Sequence, residues 1–275
     1  METSSNTVTN RIDELFERCR AENRGALVLY LTSGFPNAEV TRRILPVLAE
    51  AGCDLVELGI PFSDPIADGP TIQRASTVAL EAGMTFPQAL EILAEFRATR
   101  QMPVILFGAL NPFLVRGFEE ASQLSAKAGA DGVLAADLPV EEAGELRETL
   151  FRQNMHLINL IAPTTPSPRI RRIAEQSSGF LYCIALKGTT GARTAFAADA
   201  REYLARVRNE TDMPLALGFG ISQPEHVRTS IDAGADAVVV GSALINLIDD
   251  CVRNGRDLET EVANYVHSLA AELKK

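Results

Sequence analysis

The hexapeptide AGCDLV at residues 51–56 returns as AGADGV at 128–133 and as AGADAV at 233–238. Each copy follows an amphipathic stretch and precedes an apolar run. The shared grammar is a helix that ends at Ala, a Gly in the position that terminates it, and an Asp that opens the next strand. Working outward from these copies, eight apolar runs line up along the chain: ALVLYLTSG (26–34), DLVELGI (54–60), PVILFGA (103–109), DGVLAAD (131–137), HLINLIA (156–162), GFLYCIAL (179–186), PLALGFG (214–220) and DAVVVGS (236–242). Each is nearly continuously hydrophobic, as a strand covered on both faces must be. Helical patterns such as VTRRILPVLAEAG (40–52), EEAGELRETLFRQN (141–154) and PRIRRIAEQS (168–177) lie between them.

Eight βα units with no linker or low-complexity segment predict an α/β fold, a single (β/α)8 TIM-barrel domain over residues 1–275. A doubly wound open sheet is the competing architecture, but LTSGFPN at 31–37 is not the glycine-rich turn that usually follows its first strand. Residues 7–22 predict an extra N-terminal helix and 257–275 an additional C-terminal one, both as covers for the barrel. The length is compatible with one such domain, because α/β barrels commonly reach this size undivided.

A net charge of −10 argues against a nucleic-acid surface, which needs a basic face. Cys19, Cys53, Cys183 and Cys251 have no metal-knuckle spacing and read as buried thiols. No run approaches a membrane span and the N-terminus lacks a signal-peptide core, so a cytoplasmic protein is expected.

In a barrel the chemistry sits at the C-terminal ends of the strands. Glu57 lies inside the second run, and strand alternation places Leu55, Glu57 and Gly59 on one face and Val56, Leu58 and Ile60 on the other. The larger aliphatics belong against the helices, so Glu57 points into the barrel mouth. A carboxyl in so apolar a place should have a raised pKa, a preparation for general acid–base work. A structural Glu bridging to an interior Lys or Arg is the alternative. In the loop that follows, FSDPIADGP (62–70), Asp64 before Pro reads as a turn former or an interface residue, whereas Asp68 can return towards Glu57. A metal site made by all three carboxylates fits no defined spacing.

On the far side, Gly220 ends the seventh run, and Gly241 and Ser242 end the eighth. Strand ends seven and eight of barrels often bind phosphate through backbone N–H groups and a helix N-terminus, and these residues suit that use. The segment KGTTGARTAFAAD (187–199) reads as a long loop able to close over a substrate. His156, His226 and His267 are isolated from any nucleophile, and no lysine sits mid-strand for Schiff-base chemistry.

The runs LTSGFP (31–36), DLVELGIPFSDPIADGPTIQRA (54–75), NPF (111–113), DGVLAADLPVEEA (131–143), IAPTTP (161–166), GTTGAR (188–193) and GFGIS (218–222) occur in an order that resembles the tryptophan synthase α chain family. The resemblance extends from about Arg11 to the last helix. It implies an aldol-type lyase of tryptophan biosynthesis that splits indole-3-glycerol phosphate into indole and glyceraldehyde 3-phosphate without a cofactor. It further implies that Glu57 is the acid–base carboxylate and that Asp68 accepts the indole N–H. Tyr182 would stand beside the glutamate, Tyr30 would line the indole pocket, and Gly191, Gly220, Gly241 and Ser242 would hold the phosphate.

The expected partner is a pyridoxal-phosphate-dependent β chain in an α2β2 assembly, meeting loop 61–70 and the NPF segment. Two departures stand out. Ala109 and Leu110 replace residues that are often aromatic in the family, and LKGTTG replaces a more usual Gly-Val-Thr-Gly. A stand-alone lyase that needs no β chain and a non-catalytic binding or regulatory barrel are the alternatives.

Overall fold

The computed structural model describes residues 8–184, 193–218 and 220–275, with the side chains of 193–197 outside that description. Nine strands among these residues form one sheet: β1 (Ala26–Thr32), β2 (Leu55–Gly59), β3 (Val104–Gly108), β4 (Gly132–Ala135), β5 (His156–Leu157), β6 (Asn159–Ile161), β7 (Leu181–Ile184), β8 (Leu215–Gly218) and β9 (Ala237–Val240). All pairings are parallel, in the order β5-β4-β3-β2-β1-β9-β8-β7-β6. The two ends of that order, β5 and β6, are separated only by Ile158. They are therefore two halves of one barrel strand, the first half paired with β4 and the second with β7. The eight predicted runs become a nearly closed (β/α)8 barrel, the fifth run being interrupted at the residue where it changes neighbours.

Among the described residues twelve helices accompany the strands: α1 (Arg11–Ala21), α2 (Ala38–Glu50), α3 (Pro70–Glu81), α4 (Phe86–Arg97), α5 (Asn111–Leu114), α6 (Phe118–Ala128), α7 (Gly144–Arg152), α8 (Ser167–Glu175), α9 (Arg193–Arg208), α10 (Pro224–Asp232), α11 (Ser242–Asn254) and α12 (Leu258–Ala270). Strand alternation sorts the core into two shells. Leu27, Leu29, Leu31, Val56, Leu58, Val238 and Val240 face the helices, whereas Ala26, Val28, Leu55, Ile105, Leu134, Phe180, Ala216 and Val239 fill the interior. Ile12, Leu15, Phe16 and Cys19 of α1 join the interior shell, and the Phe16 ring stands 5.7 Å from that of Phe180. The extra N-terminal helix is thus a plug in the N-terminal end of the barrel. An Asn10–Asp13 capping box starts it, and Asp13 also meets His156 Nε2 at 2.8 Å.

The repeated AGxD copies do more than start strands. Gly52, Gly129 and Gly234 have φ of 103°, 94° and 104°, the left-handed conformation that ends each preceding helix. The aspartate two residues later then ties the foot of its strand to the foot of a neighbouring one. Asp54 accepts the Leu27 N–H at 2.9 Å and grips Arg24 with both oxygens at 2.8 and 2.9 Å. Asp131 accepts the Val104 N–H at 2.8 Å and binds Arg97 at 3.1 Å and Arg11 at 2.8 Å. Asp236 accepts the Leu215 N–H at 3.1 Å and binds Arg208 and Lys275. At the fourth such junction Ser178 takes the place of Asp and accepts the Leu157 N–H at 3.2 Å. These clamps hold the bottom of the barrel and leave the opposite rim to the site.

Candidate active site

Glu57 is 1% exposed and lies between Leu55 below and Gly59 above, on the interior face of β2. Past Gly59 the chain leaves the sheet through Pro61 and turns back, with the Asp68 N–H donating to the Pro65 carbonyl at 3.1 Å. Gln73 on the first turn of α3 donates to the Asp68 carbonyl at 3.0 Å, so the start of this helix fixes the returning loop. Glu57 and Asp68 thereby face one cavity of about 290 Å³, whose wall also includes Tyr30, Phe107, Tyr182, Gly220, Gly241 and Ser242.

Two tyrosines shape it by the same device. The Tyr30 phenol of β1 leans over Gly59 of β2, where a Cβ would lie 2.2 Å from its oxygen. The Tyr182 phenol of β7 leans over Gly218 of β8 with the same 2.2 Å approach. Each glycine lies two residues beyond the tyrosine's register partner, Glu57 for Tyr30 and Ala216 for Tyr182. Both rings thus cross diagonally to the next strand, which only a residue without a side chain permits. The Thr32 hydroxyl donates to the Tyr30 oxygen at 3.2 Å, and the Phe107 ring meets Tyr30 edge-on with centroids 5.3 Å apart.

The electrostatics follow from this enclosure. Burial pushes the Glu57 carboxyl up to about 8, and its buried Oε1 has no hydrogen-bond partner among the described residues. Burial pushes Asp68 up to about 6. Burial and the two carboxylates raise both phenols, so Tyr30 and Tyr182 stay protonated. The described residues lining the cavity include no lysine or arginine. Burial therefore sets its two carboxyls apart, with Glu57 holding its proton to a higher pH than Asp68, and no cation among the described lining residues neutralises either.

The opposite wall is a set of donors. Gly241 is the N-cap of α11 and supplies no side-chain cap, and the first helical bond runs from Ile245 N–H to the Gly241 carbonyl. The N–H groups of the first turn, beginning at Ser242, therefore lack intrahelical partners and suit an anion. Gly220, with φ of 76°, turns the chain after β8 along the same wall.

Of the eight residues singled out from the sequence, seven line this one cavity, and Gly191 lies outside the described residues. The segment read as a loop at 187–199 lies outside them as far as 192, and from Arg193 it is helical, the first turns of α9. Asp64 is exposed and accepts the Ser63 hydroxyl; it shares the small hollow beside the loop with Asp68 but does not line the cavity that holds Glu57. No cluster of three metal-ligating side chains occurs among the described residues.

Phe107, Ser222 and Asn246 also line the cavity and were not anticipated. Alternation along β3 marks Phe107, since Leu106 faces the helices. Asn246 lies one helical turn beyond Ser242, a spacing that places it on the same face. Two of the three histidines have structural partners: His156 is buried against Asp13, and His226 Nδ1 accepts the Ser222 N–H at 3.3 Å. All four cysteines are buried free thiols.

A parallel barrel with two inward carboxyls opposite an uncapped helix N-terminus, all at the carboxyl ends of the strands, defines the class: a (β/α)8-barrel enzyme. Comparison with known proteins narrows it. A family model of the tryptophan synthase alpha chain matches residues 16–274. The tryptophan synthase alpha chain of Chloroflexus aggregans is 49% identical over 87% of this chain and 90% of its own length, and that of Geobacter sulfurreducens is 42% identical over 94% and 97%. Among solved structures, the tryptophan synthase subunit alpha from Legionella pneumophila superposes with a TM-score of 0.89 at 34% identity, covering 96% of this chain and 98% of that one. Mycobacterium tuberculosis tryptophan synthase superposes with a TM-score of 0.87 at 30% identity, covering 97% and 99%. This chain belongs to the tryptophan synthase alpha chain family, whose lyase reaction cleaves indole-3-glycerol phosphate.

Proposed function

We propose that the cavity between Glu57 and Ser242 is where this chain cleaves indole-3-glycerol phosphate, with Glu57 moving the protons and Asp68 holding the ring nitrogen. The observation that carries the reading is that both carboxyls and the uncapped start of α11 face one cavity, and that burial keeps Glu57 protonated near neutrality. The substrate phosphate sits against the N–H groups at Gly220, Gly241 and Ser242, with the indole between Tyr30, Phe107 and Tyr182.

Protonated Glu57 gives its proton to indole C3, and the charge that develops on the ring nitrogen is met by the Asp68 carboxylate. Glu57, now a carboxylate, takes the proton from the glycerol hydroxyl on the carbon attached to C3. The O–H electrons form the aldehyde C=O, the carbon–carbon bond breaks, and its electrons restore the aromatic ring. Indole and glyceraldehyde 3-phosphate leave, and Glu57 is protonated again. General acid–base catalysis of this kind is worth about 10²–10⁴ in rate.

The same reading makes the chain a single-domain cytoplasmic subunit paired with a pyridoxal-phosphate-dependent β chain. No helix among the described residues is long and apolar enough to cross a membrane. Ile66, Leu114 and Val115 are 84%, 58% and 78% exposed, an apolar set on the connections after the adjacent strands β2 and β3. Such a set at the rim of the site suits a protein partner. Ala109 lines a hollow beside this loop, while Leu110 packs into the outer core and its N–H donates to Asp137 at 2.7 Å.

The test is indole release from indole-3-glycerol phosphate, measured with and without the cognate β chain. Slow release alone and a marked stimulation by β are expected. Full-speed release unaffected by β would favour the stand-alone lyase, and no release in either case would sink the catalytic reading.

A further inference from the structure

The C-terminal helix α12 is more than a cover over the barrel. Tyr265, on its inward side, donates its hydroxyl to the Ser222 carbonyl at 2.9 Å. From α10, His226 Nδ1 accepts the N–H of the same residue at 3.3 Å. Ser222 is therefore gripped at both its backbone groups by side chains of two different helices. It lines the cavity with Gly220 and Ile221, on the wall that also holds the uncapped start of α11.

From this juxtaposition we infer that Tyr265 is a positioning residue for the substrate's phosphate, acting through Ser222, an inference that rests on the anion site proposed above. A wall that binds an anion through backbone N–H groups works only if its peptide planes are fixed before the ligand arrives. Connections after strands are otherwise the mobile part of a barrel. The left-handed Gly220 lets the chain turn here but contributes no stiffness of its own. Holding Ser222 by both its N–H and its C=O supplies that stiffness. Burial pushes the Tyr265 phenol up to about 12, so it remains a donor across the working pH range. The described lining of the cavity offers no lysine or arginine whose charge would mask a loss of alignment. Because α12 follows the eighth βα unit, the inference also gives that addition a reason beyond packing.

The experiment compares the full chain with Tyr265→Phe and His226→Leu in indole-3-glycerol phosphate cleavage, with inorganic phosphate as a competing probe. Each variant should raise both KM and the inhibition constant of phosphate by about three- to tenfold, the effect of one neutral hydrogen bond. The kcat should stay within about twofold of the parent, because the carboxyls across the cavity are untouched. If Tyr265→Phe leaves both constants unchanged while phosphate competes normally, the positioning role is wrong and the anion site stands. A change in kcat alone, or a loss that merely follows a lowered melting temperature, also contradicts it. If phosphate does not compete even in the parent chain, the anion site fails and this inference falls with it.

Discussion

Replacing Glu57 with Gln is expected to slow indole release by about 10²–10⁴-fold while leaving the fold intact. The amide matches the carboxyl in shape and can donate, but it has no proton to transfer to C3 and cannot accept one from the glycerol hydroxyl. The same variant should be more stable than the parent, because the parent buries a carboxyl whose Oε1 has no partner among the described residues. The sign follows from the raised pKa. Glu57 has an ordinary value near 4.5 when unfolded and about 8 when folded, so its favourable contribution is complete below 4.5 and lost as pH rises through 8. The stability difference between variant and parent should therefore grow from pH 4.5 to 8 and then level off, at on the order of a few kcal/mol. Urea unfolding at several pH values measures it, and a parent as stable as the variant at pH 9 would contradict a buried Glu57 whose pKa is raised. Loss of activity combined with gain of stability is the signature of a site kept strained for function.

The largest effect away from the site is expected at the barrel foot. Asp131→Ala should destabilise the chain by about 3–5 kcal/mol in urea unfolding. Its carboxylate is 1% exposed and joins three partners: the Val104 N–H, Arg97 and Arg11. Removing it leaves a buried N–H without an acceptor and two guanidinium groups without their counter-charge, and loosens α1 from β3 and β4 together. Ser178→Ala, at the one junction where a hydroxyl does this work through a single 3.2 Å bond, should cost no more than about 1 kcal/mol. Equal costs at the two positions would show that the aspartate clamps do not hold the barrel foot.

Much of this molecule is legible in short stretches of its sequence, because barrels are built from local repeats. The glycine of each AGxD copy announces a left-handed helix end, and period-two alternation is enough to turn Glu57 inward and to separate the two shells. What alternation cannot report is who meets whom across the ring. An aspartate before a strand looks like punctuation, while its partners Arg24, Arg97 and Arg208 lie roughly 30 residues away in the preceding unit, and Arg11 lies 120 away. The run HLINLIA looks continuous because its hydrophobicity is continuous, although its pairing switches neighbours at Ile158. Tyr265 escaped notice for a similar reason. Helical periodicity predicts that its ring turns inward, but not that its hydroxyl ends on the carbonyl of a residue in another βα unit. Phe107 was within reach of the alternation rule, since its neighbour Leu106 faces outward.

The proposed mechanism requires Glu57 to enter the reaction protonated and Asp68 to enter it ionised, and the pH profile of kcat/KM for indole release tests both at once. With Asp68 pushed up to about 6 and Glu57 to about 8, the profile should be bell-shaped, falling on the acid side below about 6 and on the alkaline side above about 8. A rate that continues to rise through pH 8 and 9 would mean that Glu57 works from its ionised form, and would contradict the mechanism.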